Sequence, residues 1–367
     1  MPAIAKLDSI PSCNSFLLMD AHATKPVAQP PRPEEVRPVF VLGRQHSGNT
    51  MLTTVLGRLP SMVTMRAEGT FIENWSLLDQ LPPHDRAHRT ARQIRDDGAR
   101  KLFRDADFGT EIKGFWEEVT EEMVTAAENG AGATELYVVG MKRVLDLFRA
   151  SRWVQKGTSY IFVAEDILKI FPRSRLIYIA RNPLDLAAST KKRNKTGHHT
   201  LRVALGWRRG VQRAVVLSKR YPSRFLIVRY EDLVQKPEDL VREICTFSGL
   251  PYDPVCLEIP HVNKAESPYR TRGEMIGLTA SRLYYYDTVL SHGESAAIWT
   301  VVGDATMGAL YPELAEKKSP RPVGRLLSVL AAGAVEIAVG EVKRLLKSPA
   351  RTMERVVRRL PGRNVSG

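Results

Sequence analysis

Short, wholly apolar runs separated by stretches of helical period set the texture of this chain. Residues 38–42 (Pro-Val-Phe-Val-Leu), 61–65 (Ser-Met-Val-Thr-Met), 175–181 (Arg-Leu-Ile-Tyr-Ile-Ala-Arg) and 225–230 (Phe-Leu-Ile-Val-Arg-Tyr) predict strands. They are too apolar for a sheet with one wet face. Between them the pattern predicts helices over 50–56, over parts of 84–130 with breaks at Gly98, Gly109 and Gly114, and over 134–150. Further helices are predicted over 159–171, stopped by Pro172, over 199–220, and over 237–247, closed by Gly249. Asn182 and Pro183 supply an N-cap and a first-turn proline just after the best strand. Strands alternating with helices predict an α/β fold, a parallel sheet flanked by helices on both faces.

Composition divides the chain in three. Residues 1–36 end in a Pro-rich, aperiodic stretch and read as a leader or linker. Residues 37–315 carry the alternating pattern, and residues 316–367 form a basic tail that opens on Lys-Lys-Ser-Pro-Arg-Pro at 317–322. The chain has 367 residues, of which 43% are hydrophobic and 26% charged, as expected of a globular enzyme rather than a disordered chain. The 54 basic against 40 acidic residues give a net +14, which implies anionic company. Cys13, Cys245 and Cys256 are odd in number and lack CxxC spacing, which fits neither a disulfide framework nor a zinc site. With no signal-peptide order and no apolar run long enough to span a bilayer, the expected location is cytoplasmic.

The first predicted strand runs into Gly43-Arg-Gln-His-Ser-Gly48-Asn49-Thr50. This matches the phosphate-loop template Gly-x-x-x-x-Gly-Lys-Ser/Thr everywhere except at the lysine, which is Asn49. Backbone N–H groups at such a turn, backed by a helix N-terminus, form an anion cradle. Without the lysine the cradle suits a single phosphate or sulfate better than a nucleoside triphosphate.

From this loop onward the chain resembles the sulfotransferase superfamily that uses 3′-phosphoadenosine 5′-phosphosulfate (PAPS), over roughly residues 38–312. It is closer to the carbohydrate, tyrosylprotein and bacterial types than to the cytosolic aryl type. Ser47, Gly48 and Thr50 keep the identity of the family's first block, while His46 stands at its basic position and Asn49 at its first threonine. Residues 153–160 (Trp-Val-Gln-Lys-Gly-Thr-Ser-Tyr) and then Arg181-Asn182-Pro183, with Ser189 eight positions on, resemble the second block. Residues 224–233, with Tyr230-Glu-Asp-Leu, and residues 247–251 resemble the third. Ser281 and Arg282 fall where the family's closing segment covers the 3′ phosphate.

The resemblance implies PAPS as cosubstrate and transfer of its sulfuryl group to a hydroxyl or amine of an acceptor, carbohydrate or lipid among the candidates. The 5′ phosphosulfate would lie on Arg44, His46, Ser47, Gly48, Asn49 and Thr50, and the 3′ phosphate on Arg181 and Ser189. Tyr230 reads either as a wall of the nucleotide pocket or as packing. Glu68 is the candidate base, with Glu73 and His46 in reserve. Lys156 is expected to offset charge on the leaving phosphate, and His46 to donate a proton. No metal is expected, since the His198-His199 pair has no partner cluster. The basic run 191–195 reads as a solvated helix end rather than a nucleic-acid site. Between Arg325 and Glu341 the tail is apolar apart from Glu336, and Lys343, Arg344, Lys347, Arg351, Arg355, Arg358 and Arg359 follow. That pattern allows an interfacial helix on an anionic membrane or a helix packed on protein. The rival readings are a P-loop-type kinase and a noncatalytic nucleotide- or membrane-binding protein.

Overall fold

The computed structural model describes residues 31–105, 112, 114–193, 200–259, 278, 280, 283–315 and 323–347. β1 (Val39–Leu42) leads through a loop into α1 (Asn49–Leu56), and β2 (Met62–Glu68) follows. The chain then builds a helical layer: α2 (Phe71–Asp79), α3 (Pro83–Ile94), a π-helical turn at Arg95–Ala99, α4 (Arg100–Asp105), α5 (Phe115–Glu128) and α6 (Ala133–Leu147). It returns to the sheet as β3 (Arg152–Gly157), α7 (Ala164–Ile170), β4 (Arg175–Ala180), α8 (Pro183–Arg193), α9 (Thr200–Arg220) and β5 (Phe225–Arg229). Helices α10 (Tyr230–Gln235), α11 (Pro237–Ser248), α12 (His292–Val302), α13 (Asp304–Gly308), α14 (Pro312–Ala315) and α15 (Val323–Lys347) complete it.

The five strands form one sheet in the order β2-β3-β1-β4-β5, and every pairing is parallel. This is the predicted α/β architecture. Alternate residues of each strand face different cores. Phe40, Leu42, Leu176 and Tyr178 pack with α6, α9 and α12, whereas Val39, Val41, Ile177 and Ile179 pack with α1, α10 and α11. Burial of both faces is why these strands read as continuous apolar runs.

Two parts of the fold differ from the sequence expectation. β3 sits between β1 and β2, yet the apolar pattern predicts no strand over its Arg-Trp-Val-Gln-Lys-Gly sequence. Its polar residues are absorbed by partners that the sequence does not show. Arg152 donates to the carbonyls of Arg37 and Ser248, and Gln155 accepts from the Tyr137 hydroxyl. The predicted helix over 159–171 is instead a 3₁₀ turn at Tyr160–Phe162 followed by α7. At the chain's start, Pro33 and Val36 are buried, and Glu35 pairs with Lys142 at 3.1 Å. The leader from 1 to 30, the run 317–322 and residues 348–367 lie outside the described residues.

Candidate active site

All five strands point their C-terminal ends the same way, and open parallel sheets bind ligands at that edge. Central β1 is flanked there by β3, which ends in Lys156-Gly157, and by β4, which leads into Arg181. The loop from Gly43 to Gly48 lies between them.

The loop's shape is fixed from inside. Asn49 is buried, and its Nδ2 donates to the carbonyls of Gly43 (2.9 Å) and Arg44 (3.0 Å). The side chain of the residue that replaces the phosphate-loop lysine is therefore turned into the loop as a staple. Gly48 has φ +99, and a Cβ there would stand 2.7 Å from the Tyr230 ring. Only glycine fits. His46 is left-handed too, at φ 73, and its carbonyl accepts from Arg181 Nη1 at 3.2 Å. A left-handed residue other than glycine costs about 1–2 kcal/mol, and the Arg181 bond offsets part of that. Ser47 is buried, and Thr50 is exposed at the start of α1. The Arg44 guanidinium lies against Gly206 of α9, where a Cβ would stand 1.9 Å from Nη1.

Arg181 is 5% exposed. Its guanidinium lies over the Tyr230 ring (4.4 Å) and near the Tyr285 ring (5.9 Å), while its carbonyl accepts from Trp207 Nε1. Tyr230 is thus clasped between Gly48 and Arg181. Asn182 caps α8 as expected, its Oδ1 accepting from the Leu184 N–H at 2.9 Å. Buried Glu231 accepts from the Asn182 N–H and the Tyr311 hydroxyl, both at 2.9 Å. Burial raises its pKa. Buried Asp185 accepts from the N–H groups of Tyr284 and Tyr286, tying the closing segment to α8. Burial pushes its pKa up to about 6. Ser189 is buried on the same helix. Ser281 and Arg282 lie outside the described residues.

Burial, and then the charges of Arg193, Arg181 and Arg44, depress the His46 pKa to about 4. The ring is neutral near pH 7.

Glu68 and Lys156 come together. Glu68 is the last residue of β2, reached past a register shift after Met65 that turns the strand end, and it pairs with Lys156. Its Oε1 stands 3.9 Å from Lys156 Nζ, and its Oε2 accepts from the Thr158 hydroxyl at 2.9 Å. Lys156 is largely buried, whereas the Glu68 side chain is 46% exposed. Tyr160, fully buried, fixes both strand ends. Its ring fills the space a Cβ on Gly157 would need, and its hydroxyl donates to the Gly69 carbonyl at 2.8 Å.

Asp97, in the π-helical turn, was not singled out from the sequence. It is 7% exposed and accepts from the Thr70 N–H (2.7 Å) and hydroxyl (3.2 Å). No local pattern marks it, because its partner is 27 residues away. Between α3 and α5 lies a cavity of about 600 Å³, lined among others by His84, His88, Arg95, Trp116 and Glu121 but by none of the candidate residues above. Among the described residues, no group of three or more His, Cys, Asp or Glu is arranged to hold a metal ion.

A model of the Sulfotransferase family matches residues 38–254. The chain belongs to the sulfotransferase family. The matched span holds the loop, Glu68, Lys156, Arg181, Ser189 and Tyr230. An uncharacterized protein from Aquifex aeolicus (strain VF5) is 26% identical over 243 residues, 64% of this sulfotransferase-family chain. This chain spans only 28% of the length of that relative. Among solved structures, the sulfotransferase domain of the Synechococcus PCC 7002 olefin synthase is similar at 20% identity and TM-score 0.46, covering 63% of this chain and 79% of that one. The sulfotransferase domain from the curacin biosynthetic pathway is similar at 19% identity and TM-score 0.42, covering 61% and 77%.

Proposed function

We propose that the protein transfers the sulfuryl group of PAPS to a hydroxyl or amine of an acceptor. The observation that carries this reading is the Glu68–Lys156 pair at two adjacent strand ends, beside an anion loop held by Arg181. The donor supplies the activated sulfuryl group. Glu68 takes the acceptor's proton as the new bond to sulfur forms. The bond from sulfur to the donor's phosphate oxygen breaks, and Lys156 with the loop N–H groups offsets the charge left on that phosphate. Arg181 and Ser189 hold the 3′ phosphate, for which a planar guanidinium is well shaped. Gly43 and Gly48 let the loop close against Asn49, Ile179 and Tyr230, which a side chain at either position would strike.

The kinase alternative loses support from the stapled Asn49, which puts an amide inside the loop where that class needs an outward lysine. Calorimetry is the test. Adenosine 3′,5′-bisphosphate should bind at least about tenfold more tightly than AMP, since a charge-assisted hydrogen bond contributes about 1.5–3 kcal/mol. Equal affinity for the two, or tighter binding of ATP with magnesium, defeats the reading. Sulfur-labelled PAPS incubated with an extract of the source cells then identifies the acceptor.

The tail gives the location we propose: a cytoplasmic enzyme that touches an anionic membrane face. Among the described residues no helix is long and apolar enough to cross a membrane. α15 packs against α9 and α12, with Gly333 on Leu201. Its outer side carries Val335, Val339, Val342 and Leu346, all exposed at heptad spacing, and the basic run from Lys343 follows. An exposed apolar stripe beside basic residues suits anionic lipid. The full chain should sediment with anionic but not neutral vesicles, and salt should weaken it. Failure to sediment at low salt removes the membrane from the proposal.

A further inference from the structure

We infer that Asp97 is a positioning residue for the reaction: through Thr70 it holds the end of β2 so that the Glu68 carboxylate faces Lys156. This rests on the proposed role of Glu68 as base.

Only Gly69 separates Glu68 from Thr70. Thr70 precedes the first turn of α2, and its side chain makes no capping bond of its own. Asp97 supplies the acceptor instead, taking the Thr70 N–H at 2.7 Å and the Thr70 hydroxyl at 3.2 Å through both carboxylate oxygens. The π-helical turn that presents Asp97 contains Gly98 at φ 152, a conformation that side chains resist, and it packs against β2. The backbone from 68 to 70 is therefore gripped twice, by Tyr160 on the Gly69 carbonyl and by Asp97 on Thr70. Two grips on two consecutive residues fix the plane of the linking peptide, and with it the direction in which the half-exposed Glu68 leaves the strand.

Of these grips, only the one from Asp97 titrates near neutrality. The groups that face it are acidic or phenolic: Asp96 in the same turn, Tyr137 of α6 and Tyr160. Arg95 reaches Asp96 at 3.5 Å. Burial first, and then Asp96, push the Asp97 pKa up to about 6, against the Thr70 and Phe71 bonds that lower it. The sign follows. A carboxylic acid raised in the folded state stabilises the fold when protonated, and that stability is lost as pH rises through about 6. Keeping Asp97 ionised at neutral pH thus costs stability, while the ionised form is the one that grips Thr70 with charge-assisted bonds. Below about pH 6 the carboxyl protonates, the grip weakens and Glu68 loses its aim.

The test pairs turnover with hydrogen exchange. Turnover is read as adenosine 3′,5′-bisphosphate formed from PAPS with the acceptor fraction of a cell extract. In the native protein kcat should fall below about pH 6 with the KM for PAPS unchanged. Asp97→Asn should lower kcat by about tenfold to a hundredfold, the range for a small misplacement, and should remove the inflection near pH 6 from that acid limb. An acid limb that survives in Asp97→Asn with the same midpoint overturns the inference. Exchange of the amides of residues 69–71, corrected for intrinsic rates, should lose protection between pH 7.5 and 5 in the native protein. Unchanged protection overturns the inference even if the variant fails to fold. The same exchange in Glu68→Gln separates the two readings. If Glu68→Gln turns over normally, the base assignment falls and the inference built on it falls too; if it does not and the exchange is still pH-independent, only the role of Asp97 falls.

Discussion

The two ends of this site that we assign to donor and acceptor are built in different ways. At the donor end, the loop after β1 is closed from within by Asn49, which staples Gly43 and Arg44, and is then braced from outside by Tyr230 over Gly48 and by Arg181 on the His46 carbonyl. At the acceptor end, Glu68 owes its place to Lys156, Thr158, Tyr160 and, through Thr70, Asp97, residues from 29 to 92 positions away along the chain. A loop closed by local bonds leaves a motif in the sequence. A carboxylate aimed by distant side chains leaves only its own letter. The first arrangement suits a cosubstrate with fixed chemistry, and the second allows the helical layer from α2 to α6 to change with the acceptor.

The largest effect expected from this contrast is at Glu68. Replacing it with Gln removes the proton acceptor and should cut turnover about a hundredfold or more, since a positioned general base contributes roughly 10²–10⁴. Affinity for adenosine 3′,5′-bisphosphate should change little, because Glu68 pairs with Lys156 at 3.9 Å while the 3′ end is assigned to Arg181 and Ser189. Steady-state rates and calorimetry on one preparation check both halves. A variant that loses bisphosphate affinity as well shows that the two ends are not separable, and near-normal turnover moves the base to Glu73 or His46.

Arg181→Ala should be the mirror image. Affinity for the bisphosphate should fall at least about tenfold, from the loss of one or more charge-assisted bonds. The change also frees the His46 carbonyl and uncovers the Tyr230 ring, so a lower melting temperature should accompany it. Arg181→Lys keeps the charge but loses the planar fork and should recover only part of the affinity. Full recovery with lysine means that charge alone holds the 3′ end.

The same contrast explains what the sequence could tell. β1, β4, β5, α9 and α11 were legible because burial on both faces or a clear cap writes itself into consecutive residues. Arg181 followed by Asn182-Pro183 was legible for the same reason. β3 was not, because Arg152, Gln155 and Lys156 look polar until Arg37, Ser248, Tyr137 and Glu68 are seen to meet them. Asn49 could be read as a departure from the phosphate-loop template, but its inward turn depends on the carbonyls of Gly43 and Arg44. Asp97 lay in a charge-rich helical stretch where an acidic residue is ordinary, and only the fold shows that it is buried.

The smallest expected effect tests how the donor end handles protons. Burial depresses the His46 pKa, and the charges of Arg193, Arg181 and Arg44 add to it, holding it at about 4. A histidine depressed in the folded state contributes stability that is present above the unfolded value of about 6.5. That stability is lost as pH falls toward 4. His46→Gln should therefore flatten the dependence of melting temperature on pH between about 6.5 and 4, with little change at pH 8. A bound bisphosphate brings negative charge among the same arginines and should raise the His46 pKa, so binding near pH 6 should take up protons. Calorimetry in buffers of different ionisation enthalpy measures that uptake directly, and His46→Gln should reduce it. If the uptake is the same in the variant, the protons go to the ligand's own phosphates, and His46 serves the loop through its left-handed backbone alone.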